Sequence, residues 1–214
     1  MDLSFYVITC EVPNLKRSQF EVAKAATEGG ATVIQYREKN KSSRELLEMA
    51  CKIHKITQRA NIPLIINDRL DIAQAVKAEG VHLGQGDISV KTARMILGPE
   101  SIIGVSCGNI EEAIEAERDG ASYIGVGPIF PTSTKDNARK PIGIKGLIEI
   151  KRSVNVPVVG IGGISVDNVG SVLKSGVDGV AVISAVAFAS NMKGASCNLS
   201  KKIKKVREAN HEFK

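Results

Sequence analysis

A repeating beat constrains this chain most. A short apolar run, a turn, an amphipathic window ended by glycine and the next apolar run recur at roughly 20- to 30-residue spacing from end to end. The apolar runs are Leu3–Thr9, Thr32–Tyr36, Pro63–Ile66, Val81–Leu83, Ile102–Val105, Ser122–Val126, Val156–Ile161 and Gly179–Ile183, eight in all. They are apolar throughout rather than alternating, as strands buried on both faces are. Between them the spacing predicts helices over Gln19–Glu28, about Ser43–Arg59, Leu70–Ala78, Val90–Leu97, Ile110–Asp119, Ile144–Ser153 and Val166–Lys174, then a last helix to about Arg207. Ser42 or Ser43 serves as the N-cap of the long one, whose apolar face is Leu46, Leu47, Ala50, Ile53 and His54. Gly29-Gly30, Gly98-Pro99, Gly120 and Gly176 stop helices where glycine commonly does. Eight strand-helix units in 214 residues predict an α/β fold, a single-domain (β/α)8 TIM barrel over residues 1–214 with a basic C-terminal helix and tail. A doubly wound open sheet would want a G-x-G-x-x-G turn after its first strand, where this chain has Thr9-Cys10-Glu11-Val12-Pro13.

Composition excludes several function classes. No stretch approaches the roughly 20 apolar residues of a membrane span. The N-terminal Met1-Asp2-Leu3-Ser4 lacks the basic flank of a signal peptide. Cys10, Cys51, Cys107 and Cys197 are scattered without a C-x-x-C pair, which speaks against zinc and for a reducing cytoplasm. The net charge is +6, but residues 201–214 alone contribute about +4 through Lys201, Lys202, Lys204, Lys205, Arg207 and Lys214 against Glu208 and Glu212. With so few aromatics and no RNA-binding signature, that tail reads as a solvated helix face. The expected partners are small-molecule substrates, with no nucleic acid and no membrane, and a homo-oligomer is left open.

In a barrel of this kind the C-terminal strand ends share one mouth, where active sites sit. Those positions here hold Gln35-Tyr36-Arg37-Glu38-Lys39, Asn67-Asp68, His82-Leu83-Gly84-Gln85-Gly86-Asp87, Ser106, Thr132-Ser133-Thr134-Lys135, Gly162-Gly163 and Ser184. Asp68 and Asp87 leave neighbouring strands. Magnesium is typically held by one or two carboxylates together with substrate phosphates. The same mouth holds Arg37, Lys39 and Lys135, so carboxylates and cations together suit a metal-bound diphosphate. Gly162-Gly163, followed by Ser165 and a helix from Val166, suits a monophosphate over strands seven and eight, with Ser184 beside it. His82 reads as a hydrogen-bonded structural histidine more readily than as a general base. Cys107 has no partner histidine nearby in sequence and is taken as incidental. Residues 134–140 have no periodicity and are expected to form a mobile lid or loop.

These residues resemble the thiamine-phosphate synthase family over nearly the whole chain, from Tyr6-Val7-Ile8-Thr9 to Ile183-Ser184. The marks are Gln35–Lys39, Asn67-Asp68-Arg69, Gly80-Val81-His82-Leu83-Gly84-Gln85, Gly104-Val105-Ser106 and Gly125–Lys135. The resemblance implies a transferase that joins 4-amino-2-methyl-5-hydroxymethylpyrimidine diphosphate to a thiazole phosphate, releasing diphosphate and forming thiamine phosphate. It implies that Gln35, Tyr36, Arg37, Glu38, Lys39, Asn67, Ser106 and Lys135 hold the pyrimidine diphosphate, with Arg37 and Lys135 catalytic. It gives Asp68 and Asp87 to one Mg2+ per subunit, and Thr132, Ser133, Thr134, Gly163, Ile183 and Ser184 to the thiazole phosphate. Two positions depart from the family pattern: Gly86, where an acidic residue is frequent, and Gly108, where histidine is common. A thiazole tautomerase is the nearest rival; it would need a general base and have no use for the Asp68–Asp87 pair. A catalytically silent phosphate-sensing barrel is the rival from another class.

Overall fold

The computed structural model describes residues 1–132 and 140–211. Strands β1 (Phe5–Ile8), β2 (Val33–Tyr36), β3 (Leu64–Asn67), β4 (Gly80–Leu83), β5 (Ile102–Cys107), β6 (Tyr123–Val126), β7 (Val158–Ile161) and β8 (Gly179–Val182) pair in sequence order. All pairs are parallel, and β1 pairs with β8 to close the barrel. Helices α1 (Gln19–Glu28), α2 (Ser43–Arg59), α3 (Leu70–Val76), α4 (Val90–Leu97), α5 (Ile110–Arg118), α6 (Gly143–Ser153), α7 (Val169–Leu173), α8 (Ser184–Ala187) and α9 (Met192–His211) follow the strands. The expected (β/α)8 barrel is therefore the fold.

Local chemistry sets the element ends. Ser18 and Ser42 each accept from the backbone N–H three residues on, and Glu21 and Glu45 reach back to the cap N–H. Those S-x-x-E capping boxes start α1 and α2 where the periodicity predicts. Two differences from expectation have an identifiable cause. The helix expected from Val166 begins at Val169, because the Asn168 side chain accepts from Ser165 N at 2.8 Å and donates to Gly163 O at 2.9 Å, holding the intervening residues as a turn. The last helix is split into α8 and α9. Arg17 donates to Ala187 O at 2.8 Å, Ala189 O at 2.6 Å and Ser190 O at 3.2 Å, satisfying carbonyls that a continuous helix would have used.

Strand alternation sorts the side chains into two cores. Phe5, Val7, Ile34, Leu64, Ile66, Val81, Ile103, Ile124 and Val158 point outward into the main core beneath the helices. Leu3, Tyr6, Ile8, Val33, Ile65, Tyr123, Val159 and Ala181 fill the barrel interior. At the N-terminal face a fourfold device appears. Thr32, Glu79, Ser122 and Asp178 immediately precede β2, β4, β6 and β8. Their side chains accept from Phe5 N (3.0 Å), Leu64 N (2.7 Å), Ile103 N (3.0 Å) and Val158 N (2.8 Å) at the starts of the odd strands. Each satisfies a backbone donor that the ladder leaves unpaired at the barrel floor.

Glu79 has a second task, since its other oxygen meets Nε2 of the buried His54 at 3.1 Å. Glu79→Ala strands the Leu64 N–H and should cost about 1–3 kcal/mol. Glu79→Gln keeps an acceptor and should cost clearly less. Urea unfolding of the two variants checks this ordering; equal stability for Glu79→Ala and wild type would show that the cap contributes nothing.

Candidate active site

The strand ends open into a cavity of about 330 Å³. Its wall brings together Gly84, Gln85, Ser106, Thr132, Gly163, Ile183 and Ser184 from β4, β5, β6, β7 and β8. Of the residues expected to hold a thiazole phosphate, Thr132, Gly163, Ile183 and Ser184 thus share one wall. Ser133, Thr134 and Lys135, and all of the 134–140 loop except Lys140, lie outside the described residues.

The glycine turn after β7 is shaped by close packing. Gly162 and Gly163 have φ of +101° and +65°, which side chains with a Cβ rarely adopt. A Cβ on Gly162 would sit 2.6 Å from Pro128 Cα, and one on Gly163 would sit 2.7 Å from Phe130 Cβ and Pro131 O. The turn therefore leans on residues 128–131, and neither position can carry a side chain in this geometry. With α7 starting at Val169, the predicted helix N-terminus at Val166 is absent; the turn offers backbone rather than a helix end.

The charged half of the mouth lies over β2, β3 and β4. Asp68 has φ +60°, an uncommon left-handed conformation for a residue other than glycine, and its N–H donates to His82 O at 2.9 Å. Its carboxylate lies 3.6 Å from Lys39 Nζ and within hydrogen-bond reach of Asp87. Asp87 Oδ2 accepts from Gly84 N at 2.6 Å, which joins this half to the cavity wall. Partial burial and the neighbouring Asp87 carboxylate hold the Asp68 carboxyl above its ordinary range, against the opposing pull of Lys39. Among the described residues no group of three or more His, Cys, Asp or Glu side chains could hold a metal ion by itself.

Three of the residues expected to touch the pyrimidine diphosphate have other neighbours. Tyr36 is buried on the outer face of β2, in the same core as Leu46, Ile66 and Ile72. Glu38 braces its own loop: its carboxylate accepts from Lys39 N (2.8 Å), Asn40 N (2.9 Å) and Gln19 Nε2 (2.8 Å). Gln19 in turn accepts from Thr9 Oγ1. Gln35 points into the barrel, where its Nε2 donates to the Tyr6 hydroxyl at 2.8 Å. Arg37 and Asn67 are partly exposed and Lys39 is exposed.

Below the cavity a buried polar row crosses the barrel. Tyr6 OH meets Tyr123 OH at 2.8 Å, His82 Nδ1 meets Tyr123 OH at 2.9 Å, and His82 Nε2 meets Ser106 Oγ at 2.9 Å. His82 is thus the hydrogen-bonded histidine that its place on β4 suggests. Tyr6, Tyr123, Gln19 and Thr9 were not singled out by sequence. Tyr6 and Tyr123 fall on inward-facing strand positions, a signal that alternation alone could have supplied. Of the two departures, Gly108 lines the cavity and donates to Glu112 Oε2 at 2.7 Å, while a Cβ on Gly86 would meet nothing within 4 Å.

Comparison with known proteins identifies the family. The profile of the thiamine monophosphate synthase family matches residues 5–186. The chain belongs to the thiamine-phosphate synthase family. It is 48% identical over 199 residues to the thiamine-phosphate synthase of Chloroflexus aurantiacus, covering 93% of this chain and 92% of that one. It is 47% identical over 202 residues to the thiamine-phosphate synthase of Clostridium novyi, with 94% and 99% covered. The solved thiamine phosphate pyrophosphorylase of Pyrococcus furiosus superposes with a TM-score of 0.88 at 45% identity, over 96% of this chain and 97% of that one. As a member of this family the chain is a transferase of thiamine biosynthesis.

The Asp68–Asp87 pair predicts a trade between metal binding and stability. A carboxyl raised in the folded state stabilises that state fully at low pH, and the gain is lost as pH rises through the raised value. Near neutral pH the metal-free site thus holds an unwelcome charge beside Asp87. Asp68→Asn removes it, and Asn also tolerates positive φ. In EDTA at pH 7.5 the variant should melt higher than wild type by about 2 °C. Calorimetric scans check this, and a lower melting temperature would contradict it.

Proposed function

We propose that this mouth joins 4-amino-2-methyl-5-hydroxymethylpyrimidine diphosphate to 4-methyl-5-(2-phosphoethyl)thiazole, releasing diphosphate and forming thiamine phosphate. What supports the reading is the junction at Gly84, whose N–H binds Asp87 while the residue itself lines the cavity. It sets a carboxylate pair, with Lys39 3.6 Å from Asp68, directly against a neutral, glycine-walled pocket. A tautomerase would have no use for that pair.

The family depends on magnesium in general. Two carboxylates within hydrogen-bond reach of each other, one of them held above its ordinary range, fit a divalent cation completed by phosphate oxygens. Asp68 and Asp87 would hold one Mg2+ per subunit, which when bound neutralises charge on the departing oxygens. Arg37, Lys39 and Lys135 hold the diphosphate and stabilise the negative charge that grows on it. Asn67 and Ser106 add donors on the same side. Glu38 and Tyr36 act through the backbone they brace, Glu38 by tying down the β2–α2 loop that carries Arg37 and Lys39.

The scissile bond joins the diphosphate oxygen to a CH2 on an electron-rich aminopyrimidine. The ring can carry the positive charge left when that bond breaks, so departure precedes attack. The thiazole nitrogen then attacks the CH2 carbon, held in place by its phosphate over Gly163, Thr132, Ser133, Thr134, Ile183 and Ser184. No protein nucleophile is needed, and the pocket wall offers backbone, hydroxyls and apolar surface suited to excluding water. The described residues include no helix long and apolar enough to cross a membrane, and both substrates are small phosphorylated molecules. We place the reaction in the cytoplasm.

Mixing both substrates with the protein should yield thiamine phosphate and diphosphate with magnesium and almost none in EDTA. Ser184→Ala removes one donor at the thiazole end and should raise KM for thiazole phosphate roughly 2- to 10-fold, leaving KM for the pyrimidine substrate unchanged. Equal changes in both would show that the two sites are misassigned. Lys135→Ala should slow single-turnover chemistry at saturating substrates by roughly 10- to 150-fold, the worth of a charge-assisted contact made to the leaving group. An unchanged rate would return Lys135 to the surface.

A further inference from the structure

We propose that His82 and Tyr123 are positioning residues: a hydrogen-bonded row through the barrel interior turns the Ser106 hydroxyl into a fixed donor aimed into the cavity, toward the departing diphosphate. The inference rests on the functional reading above and adds residues which that reading leaves unused.

The barrel is built to hold this row. Register places His82 beside Gly104 and Gly104 beside Tyr123, and it places Ser106 beside Gly125. A Cβ on Gly104 would lie 2.1 Å from Tyr123 Cζ, and one on Gly125 would lie 3.1 Å from His82 Cε1. Both glycines therefore vacate the space that the two rings occupy. The rings pack with centroids 5.5 Å apart, and Tyr6 closes on Tyr123 at 5.9 Å.

The protons in the row can be ordered. The Gln35 amide N–H donates to the Tyr6 oxygen. The Tyr6 proton then goes to the Tyr123 oxygen, and the Tyr123 proton to His82 Nδ1. Burial holds both phenols far above the ordinary tyrosine range, so neither gives its proton up. A histidine that accepts at Nδ1 carries its proton on Nε2, and Nε2–H donates to Ser106 Oγ. Ser106 Oγ is then an acceptor towards His82, and its own O–H is directed to the cavity that it lines. Running the row backwards would aim both the Gln35 N–H and the Tyr123 O–H at the Tyr6 oxygen and leave the Tyr6 proton without an acceptor in the row.

Gln85 fixes the other side of Ser106, donating from Nε2 to its carbonyl at 2.8 Å. Gln85 belongs to the loop from Gly84 to Asp87, so the loop that carries Asp87 is tied directly to the backbone of Ser106. A donor fixed in advance needs no reorganisation as charge grows on the leaving oxygen, so it acts on the rate more than on binding.

The test is a double-mutant cycle on thiamine phosphate formation, with kcat read at saturating substrates and folding followed by thermal melts. Ser106→Ala and His82→Leu should each lower kcat roughly tenfold, with KM for thiazole phosphate unchanged. The double variant should fall no further than either single one, because His82 acts through Ser106. His82→Gln, which can offer an amide N–H near the Nε2 position, should recover most of the rate. Tyr123→Phe keeps the ring and serves if His82→Leu misfolds; its loss should vanish in the Ser106→Ala background. Multiplying losses, or single variants as fast as wild type, would overturn this inference alone. A wild-type chain that makes no thiamine phosphate would overturn the functional reading and this inference with it.

Discussion

Closure of the barrel by the β1–β8 pair is the constraint on which the rest depends. A closed parallel sheet has no free edge, but it creates an interior that must be filled and a floor whose strand starts must find acceptors. The interior solves its problem with unequal partners: Tyr123 packs against Gly104 and His82 against Gly125, and Tyr6 closes on Tyr123. The floor solves its problem with one side chain before each even-numbered strand. The C-terminal strand ends that remain carry the candidate site residues.

The mouth is divided by charge. Over β2 to β4 stand Arg37, Lys39, Asp68 and Asp87, where Lys39 faces Asp68 at 3.6 Å and the two carboxylates crowd each other. Over β6 to β8 the wall is backbone, small side chains and hydroxyls, suited to a smaller anion and an apolar ring. The loop from Gly84 to Asp87 spans the divide, and Ser106 sits where the halves meet. Transfer between two phosphorylated partners asks for that arrangement: a charged side that draws the leaving group away and a quieter side that presents the nucleophile.

Much of this was legible in the sequence, because it rests on short-range rules. The S-x-x-E caps and apolar periodicity place α1, α2 and α4 at their observed bounds. The strand-end positions single out the Asp68–Asp87 pair, Gly163 and Ser184. What escaped depends on partners distant in the chain. The break between α8 and α9 needs Arg17, about 170 residues away in sequence. The role of Glu38 needs Gln19, and the roles of His82 and Ser106 need Tyr6 and Tyr123. The late start of α7 is the exception: its cause, Asn168, is local, but an asparagine inside a helical pattern does not say which backbone groups it will take.

A mouth with two anion sites of different character should take two ligands at once. Calorimetric titration tests it directly, with inorganic diphosphate and thiazole phosphate as separate ligands, with and without magnesium, and then each in the presence of the other. Diphosphate should bind only with magnesium, thiazole phosphate should bind with or without it, and saturation by one should leave room for the other. Mutual exclusion, or diphosphate binding that ignores magnesium, would contradict the account.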